Sequence, residues 1–393
     1  MSTPRAVSAS LISTAQGMLP VYMIGGLAVQ ISAEMGFGPR QLGIATTVYF
    51  AVSAVGSTPA GHFVQRVGAY PGIVLTAVLS GGALLGIAGF ATSWASLVAM
   101  LVVAGMGNAF AQPSANLLLA RGVPIARQGF YFGVKQAAVP ITTLLAGISV
   151  PLIGLTIGWR WAFVIVTLGS VVLPFISPRT PRAIPRKGRA APPRGEVDRL
   201  PLIVLAAGAL LGAAAANSIG VFLVASAVDA GLTASIAGYL LAVGSALGIM
   251  TRLIVGALAD RREGAHLVRV AIMLAGGCVG FVLLAIADPP ALFLVGTAIA
   301  FIAGWGWNGL FTFSVVRSYR EAAAAATGLT QTGLWLGGML GPLLFGLAAE
   351  AQSFAAAWAG AGIVMLVASV VIVIGSRMVA RATEARAAGT EPA

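Results

Sequence analysis

Long apolar runs, with the polar residues gathered between them, dominate this chain. Twelve can be marked, at roughly 10-32, 41-62, 71-91, 94-119, 130-153, 161-177, 201-225, 235-258, 267-287, 290-316, 324-348 and 354-376. Each is near the length of about 20 residues that a helix needs to cross a bilayer. The runs are continuous rather than alternating, so they read as helices. Helices also satisfy their own backbone in lipid, which an open strand cannot. The pattern predicts an all-α membrane protein with twelve transmembrane helices. The first run is too long for the apolar core of a signal peptide, and no small-residue cleavage site follows it, so it is expected to stay as a span.

The segments between the runs give an orientation. An even number of spans puts both termini on one side. If that side is the cytoplasm, nineteen of the 23 Arg and Lys residues lie inside, only Arg40 and Arg160 lie outside, and Lys135 and Arg252 fall within spans. Such a bias follows the positive-inside rule. Seven of the inside cations crowd the stretch 178-200, which is rich in Pro and Arg and lacks apolar periodicity. It reads as a flexible cytoplasmic linker, with positive-inside charge explaining its basicity and contact with anionic lipid as the alternative. The expected organisation is therefore a first six-helix bundle over 1-177, the linker 178-200, a second bundle over 201-376, and a cytoplasmic tail over 377-393.

The two halves repeat. With a shift of 195 residues, Gly36, Gly43, Gly61 and Arg66 fall on Gly231, Gly238, Gly256 and Arg261, Glu34 falls on Asp229, and Gly133 and Gln136 fall on Gly328 and Gln331. Parallel repeats of six spans predict two bundles related by a pseudo-two-fold axis along the membrane normal, with a site between them near mid-membrane.

Composition narrows the class. The chain is 58% hydrophobic and only 9% charged, against about a quarter charged in soluble domains. The lone cysteine, Cys278, excludes an internal disulfide and a cysteine-based metal cluster. No nucleotide loop, catalytic pair or nucleic-acid platform is visible. No enzyme activity, metal or cofactor is expected, and the arginines are a topology signal. Arg over Lys, with abundant Ala and Gly, points to a GC-rich bacterial genome and hence to a bacterial inner membrane.

At this point the chain resembles the major facilitator superfamily over nearly its whole length. The resemblance rests on the six-plus-six arrangement with a long middle loop and on the family's Gly-x-x-x-Asp-Arg signature after spans two and eight. The second copy is intact in Gly256, Asp260 and Arg261, followed by Arg262. The first is degraded, with Gln65 between Gly61 and Arg66 where the acid belongs. The segment Gly158-Trp159-Arg160-Trp161-Ala162-Phe163 is a further likeness. The resemblance implies alternating access, with Gly61, Arg66, Gly256, Asp260 and Arg261 as a conformational latch. Two departures count against a drug-proton antiporter of the usual kind: span five lacks the Gly-Pro antiporter signature, and span four lacks an Arg.

The candidate chemistry centres on Lys135 and Arg252, since a charge at membrane depth is costly and normally serves a site. Arg252 lies eight residues before Asp260, about 12 Å into span eight. It shares a helix face with Gly238, Ser245, Gly248 and Gly256, opposite Leu240, Leu247, Ile254 and Leu258, so it is expected to face protein. The resemblance implies a substrate role, because oxalate and monocarboxylate transporters of the superfamily carry a substrate-binding Arg at this place, and a guanidinium suits a carboxylate. The alternative is a structural Arg bonding helix carbonyls. Lys135 lies at similar depth in span five and is expected to converge with Arg252, with snorkelling to the surface as its alternative. None of the eleven acidic residues lies within a span core, so the pair favours an anionic ligand. Lys135 is also the candidate carrier if protons are coupled; exchange against a counter-anion is the other route. Asn108, Gln112 and Asn116 form a ladder on span four. Tyr22, Asn217, Asn308, Gln331 and Trp335 complete the candidate substrate-binding set, with inter-helix bonding or packing as the bland reading of each. Trp305, Trp307 and Thr312 are further polar or aromatic positions in span ten. The expectation is a monomeric secondary transporter for a small organic anion, with export of a hydrophobic or neutral compound as the alternative. A receptor or intramembrane enzyme is disfavoured.

Overall fold

The computed structural model describes residues 3–124, 128–179, 199–261, 266–287, 290–319 and 323–387. Most of the linker expected over 178-200 lies outside the described residues. Among those described, eleven helices have the length and apolarity to cross a membrane, and one of them, Tyr131–Ile176, runs for 46 residues. At 1.5 Å per residue that is more than twice a bilayer core. Gly158 interrupts it with φ +103°, a backbone conformation open to glycine and strained for other residues. The run is therefore two spans, and the chain crosses twelve times. It is an all-α multi-pass membrane protein.

Span one is Thr3–Gly26 continued by Ala28–Met35. Spans two, three and four are Pro39–Val67, Ala69–Phe90 and Trp94–Gly122. Span five is built from Gln128–Gln136, Ala138–Ser149 and a π-helical stretch Val150–Gly158. Span six is Trp159–Val166 with Leu168–Ile176. Spans seven, eight and nine are Arg199–Asp229, Ala234–Arg261 and His266–Ala285. Span ten is Pro290–Ile299, a π-helical stretch Ala300–Trp305, and Asn308–Ser318. Spans eleven and twelve are Ala323–Ala351 and Phe354–Ala387. The last helix thus continues well past residue 376.

The 195-residue repeat becomes a spatial axis. Tyr22 and Asn217 are repeat mates, and the Tyr22 hydroxyl donates to Asn217 Oδ1 at 2.9 Å across a sequence separation of 195. One turn on, Gly25 and its mate Gly220 also meet: a Cβ on Gly25 would lie 3.1 Å from the Gly220 carbonyl oxygen. Spans one and seven therefore cross on the pseudo-two-fold axis. Around it the bundles touch along two equivalent seams, spans two with eleven and spans five with eight.

An even number of crossings returns the chain to the face where it began, here termed the termini face. The opposite, far face is sealed. A Cβ on Gly43 would lie 2.5 Å from the Pro342 carbonyl oxygen, and one on its mate Gly238 would lie 2.8 Å from the Gly147 carbonyl oxygen. Backbones this close need glycine. Thr47 donates to the Met339 carbonyl at 2.9 Å. Glu350, at the end of span eleven, accepts from the Arg40 N–H at 3.0 Å, where a carboxylate complements the free donors of a helix start. Within the first bundle, Arg160 bridges Glu34 at 2.6 Å and bonds the Ala91 carbonyl, so the Gly158–Phe163 motif pins span six to spans one and three.

The termini face is open. Around Gly61, Gly133, Gly256 and Gly328 a Cβ would meet nothing within 4 Å, and Arg66 is exposed. Thus Gly61, Arg66 and Gly256 do not fasten the bundles in this state. The Asp260 and Arg261 side chains lie outside the described residues. In a Cys278→Ala background, Gly43→Val should pry the far seam apart, so that an impermeant maleimide applied to the far face labels a cysteine at Thr47 several-fold faster than in the Gly43 parent. Equal rates would show that the seam does not depend on this approach.

Candidate functional site

Span eight turns Arg252 inward, as its small-residue face requires. Ser245, one face-repeat earlier, is fully buried, and its hydroxyl pairs with that of Thr143 on span five at 2.8 Å. Val243, Met250, Leu253, Ile254 and Leu258 are exposed and form the lipid edge. Leu240, expected on that edge, is 8% exposed and packs in the core.

The Arg252 guanidinium meets neutral oxygens alone. Nη1 donates to the Gln136 carbonyl on span five at 3.2 Å, and Nη2 to the Trp305 carbonyl on span ten at 3.0 Å. Its carbon lies 5.9 Å from the Trp305 ring centroid, within cation–π range. Nε is buried without a protein partner. The structural alternative for Arg252, bonding of helix carbonyls, is thus realised in this state. Trp305 also packs against Tyr22, centroid to centroid 6.1 Å, so the guanidinium sits beneath the crossing of spans one and seven.

Lys135 does not snorkel: it is 4% exposed. Its ammonium donates to Gln112 Oε1 at 2.7 Å and to Asn116 Oδ1 at 2.8 Å, both on span four. Asn116 also lines a cavity of about 420 Å³ near the termini face, with Gly61, Gln65, Pro113 and Phe132. The two cations lie at one level, since Arg252 bonds the residue next to Lys135, yet they engage separate partners. Convergence is therefore of level rather than of shared ligands. Among the described residues the ion pair present is Arg160 with Glu34, and neither buried cation has a carboxylate.

The other candidates divide. Gln112 and Asn116 hold Lys135, whereas Asn108 does not face the cavity. It is fully buried, donates to Ser53 on span two, and presses against Gly17 of span one. The ladder splits because spans one and two close over its inner rung. Tyr22 and Asn217 join the bundles, as described, and Asn217 also donates to the Ala213 carbonyl. Gly338 of span eleven lies against Asn217. Asn308, Gln331 and Trp335 are half-buried, and nothing brings them into contact with either cation. Thr312 bonds the Asn308 carbonyl. Trp307 is 1% exposed and packs on Gly212 in the second bundle. A second concavity of about 330 Å³ lies on the far face beside Asp229, Phe222 and Phe354, away from the cations. Two contributors escaped sequence reasoning. Thr143 pairs with Ser245, and Gln136 acts through its carbonyl, signalled in sequence only by Pro140 four residues later.

Twelve spans in two repeated bundles, sealed on one face and open on the other around a buried polar centre, define a membrane transporter rather than an enzyme. The sequence profile of the Major Facilitator Superfamily matches residues 10–333, and the chain belongs to that superfamily. It is 27% identical over 337 residues to a chloramphenicol resistance protein of Streptomyces lividans, covering 82% of this chain and 83% of that protein. It is 28% identical over 143 residues to the "Probable sulfoacetate transporter SauU" of Cupriavidus necator, covering 36% of this chain and 33% of that one. In fold it is similar to a D-xylose-proton symporter, with TM-score 0.76, 14% identity and coverage of 94% and 96%. It is also similar to an inward-facing, unoccupied bacterial homolog of the human lysosomal transporter Spinster, with TM-score 0.71, 17% identity and 96% coverage of both chains.

The Lys135 cluster makes a separable prediction. Gln112→Leu leaves a buried ammonium short of an acceptor, which costs about 1–3 kcal/mol and should lower Tm in detergent by several degrees. Adding Lys135→Met removes the stranded charge and should recover most of the loss. A double variant as unstable as the single would show that the bond does not carry the effect.

Proposed function

We propose that this transporter moves a small organic anion bearing a carboxylate or sulfonate, with Lys135 and Arg252 neutralising it in alternating access. One observation carries the reading: both cations are buried at one level, Lys135 within the first bundle and Arg252 at the seam, and among the described residues their bonds go to neutral oxygens. Amides and carbonyls accept from both groups but carry no charge, which leaves two net positive charges at membrane depth, where an anion is the natural complement. The cavity lined by Asn116, the amide that holds Lys135, would give a route from the termini face. The partial relative named for sulfoacetate fits this ligand class.

The nineteen-to-two distribution of cations supports a cytoplasmic termini face; the reading puts the protein in the inner membrane of a bacterium, acting as a monomer. No carboxylate accompanies Lys135 or Arg252 among the described residues. Coupling would then run through a proton on Lys135 or through exchange against a second anion. A second reading, export of a neutral or hydrophobic compound, is favoured by the relative named for chloramphenicol resistance, which spans most of both chains. Tyr22 and Trp305 would form its contact surface.

The test is uptake into proteoliposomes with a panel of monocarboxylates, dicarboxylates, sulfoacetate and chloramphenicol. The anion reading expects flux of an anion, with Arg252→Ala and Lys135→Ala each lowering it about tenfold or more, as loss of a charge-assisted bond implies. Normal transport of the identified substrate by both variants would end the charge mechanism.

A further inference from the structure

The bond between Arg252 and the Gln136 carbonyl exists because of a proline. In a regular helix the carbonyl of residue 136 accepts from the N–H of residue 140, and Pro140 has none. The next donor, the Ile141 N–H, is already bonded to the Ala137 carbonyl at 3.1 Å. The Gln136 oxygen is therefore left for a side chain, and Arg252 supplies one from the other bundle at 3.2 Å. The second acceptor, the Trp305 carbonyl, lies where the π-helical stretch Ala300–Trp305 ends, another place where the helical ladder changes register. The guanidinium thus meets the proline defect in one bundle and the end of a π-helical stretch in the other.

Its position along the seam gives this bond a further role. Spans five and eight pair at intervals of seven residues. Gly238 lies against Val150, Ser245 bonds Thr143, and Arg252 bonds Gln136. Toward the termini face the seam ends, with open space around Gly133 and Gly256. Arg252 is its last rung. The equivalent positions on the other seam are Ser57 and Gln331, and they form no such rung: the Ser57 hydroxyl is turned back to the Ser53 carbonyl of its own helix.

We propose that Pro140 is a positioning residue, which frees the Gln136 carbonyl to hold Arg252 as a tie between the bundles until an incoming carboxylate or sulfonate draws the guanidinium away. This rests on the anion reading above. A carboxylate or sulfonate offers a guanidinium an opposite charge and a bidentate fork that a neutral carbonyl lacks, so anion binding competes directly with the rung that keeps the far face shut. Substrate recognition and unlocking then use the same side chain.

The experiment is a spin-label distance between Thr156→Cys and Thr233→Cys, both exposed at the far ends of spans five and eight, in full-length Cys278→Ala protein. Without ligand, Pro140→Ala restores a helical donor to the Gln136 carbonyl and Arg252→Met removes the guanidinium. Each should lengthen the distance relative to the parent. Acetate, oxalate or sulfoacetate should lengthen it in the parent, and the half-saturating concentration should fall about tenfold in Pro140→Ala, where the competing carbonyl is occupied. A purely structural proline would not tighten anion binding. Unchanged ligand-free distances in both variants would overturn the tie; should Pro140→Ala not fold, Arg252→Met decides this arm. Lengthening in the variants with no response to any of the three anions would retain the tie and overturn its release by anions, together with the anion reading.

Discussion

A guanidinium held inside the membrane by two backbone carbonyls, with no carboxylate beside it among the described residues, is the interaction on which the rest of this molecule turns. Removing a charge from water is tolerated only where its hydrogens are bonded. The two acceptors of Arg252 come from different bundles. The same contact therefore meets a local electrostatic need and joins the halves. Lys135 solves its own problem within one bundle, using Gln112 and Asn116. The two cations are thus unequal. One is bonded within its own bundle, and the other bonds across the seam between the two.

The second constraint is the repeat. Tyr22 meets its own repeat mate, Asn217, so the axis passes between spans one and seven. Symmetry then makes each seam a copy of the other, with Gly43 on Pro342 and Gly238 on Gly147. In lipid no hydrophobic gain drives helices together, and close backbone approach through small residues takes its place. Contacts of that kind separate without stranding polar groups, which suits surfaces that must part and rejoin. The repeated glycines at the other end, Gly61, Gly133, Gly256 and Gly328, stand apart in this state.

Much of this was legible in the chain. Apolar run length gave twelve spans, because bilayer thickness leaves little freedom in helix length. The spacing of Gly43 and Gly238 gave the repeat, and the small stripe around Ser245 and Gly248 gave the inward direction of Arg252. The partners of the two cations were less visible. A backbone carbonyl has no sequence identity, so the Gln136 acceptor was marked only by Pro140. The π-helical stretches Val150–Gly158 and Ala300–Trp305 reflect packing between spans rather than local preference. Asn108 looked equivalent to Gln112 and Asn116 on a helical wheel. Its burial against Gly17 and Ser53 depends on how spans one and two close over span four.

The arrangement separates recognition by charge from recognition by shape. On the proposed reading an anion would be met by Lys135 and Arg252, whereas a neutral ligand would depend on Tyr22 and Trp305 and leave both charges uncompensated. Calorimetric titration of the purified transporter with sulfoacetate, oxalate and chloramphenicol addresses this directly. The account predicts saturable binding of an anion that is lost when Arg252 and Lys135 are both neutralised. Saturable binding of chloramphenicol alone, unchanged by loss of both charges, would contradict it.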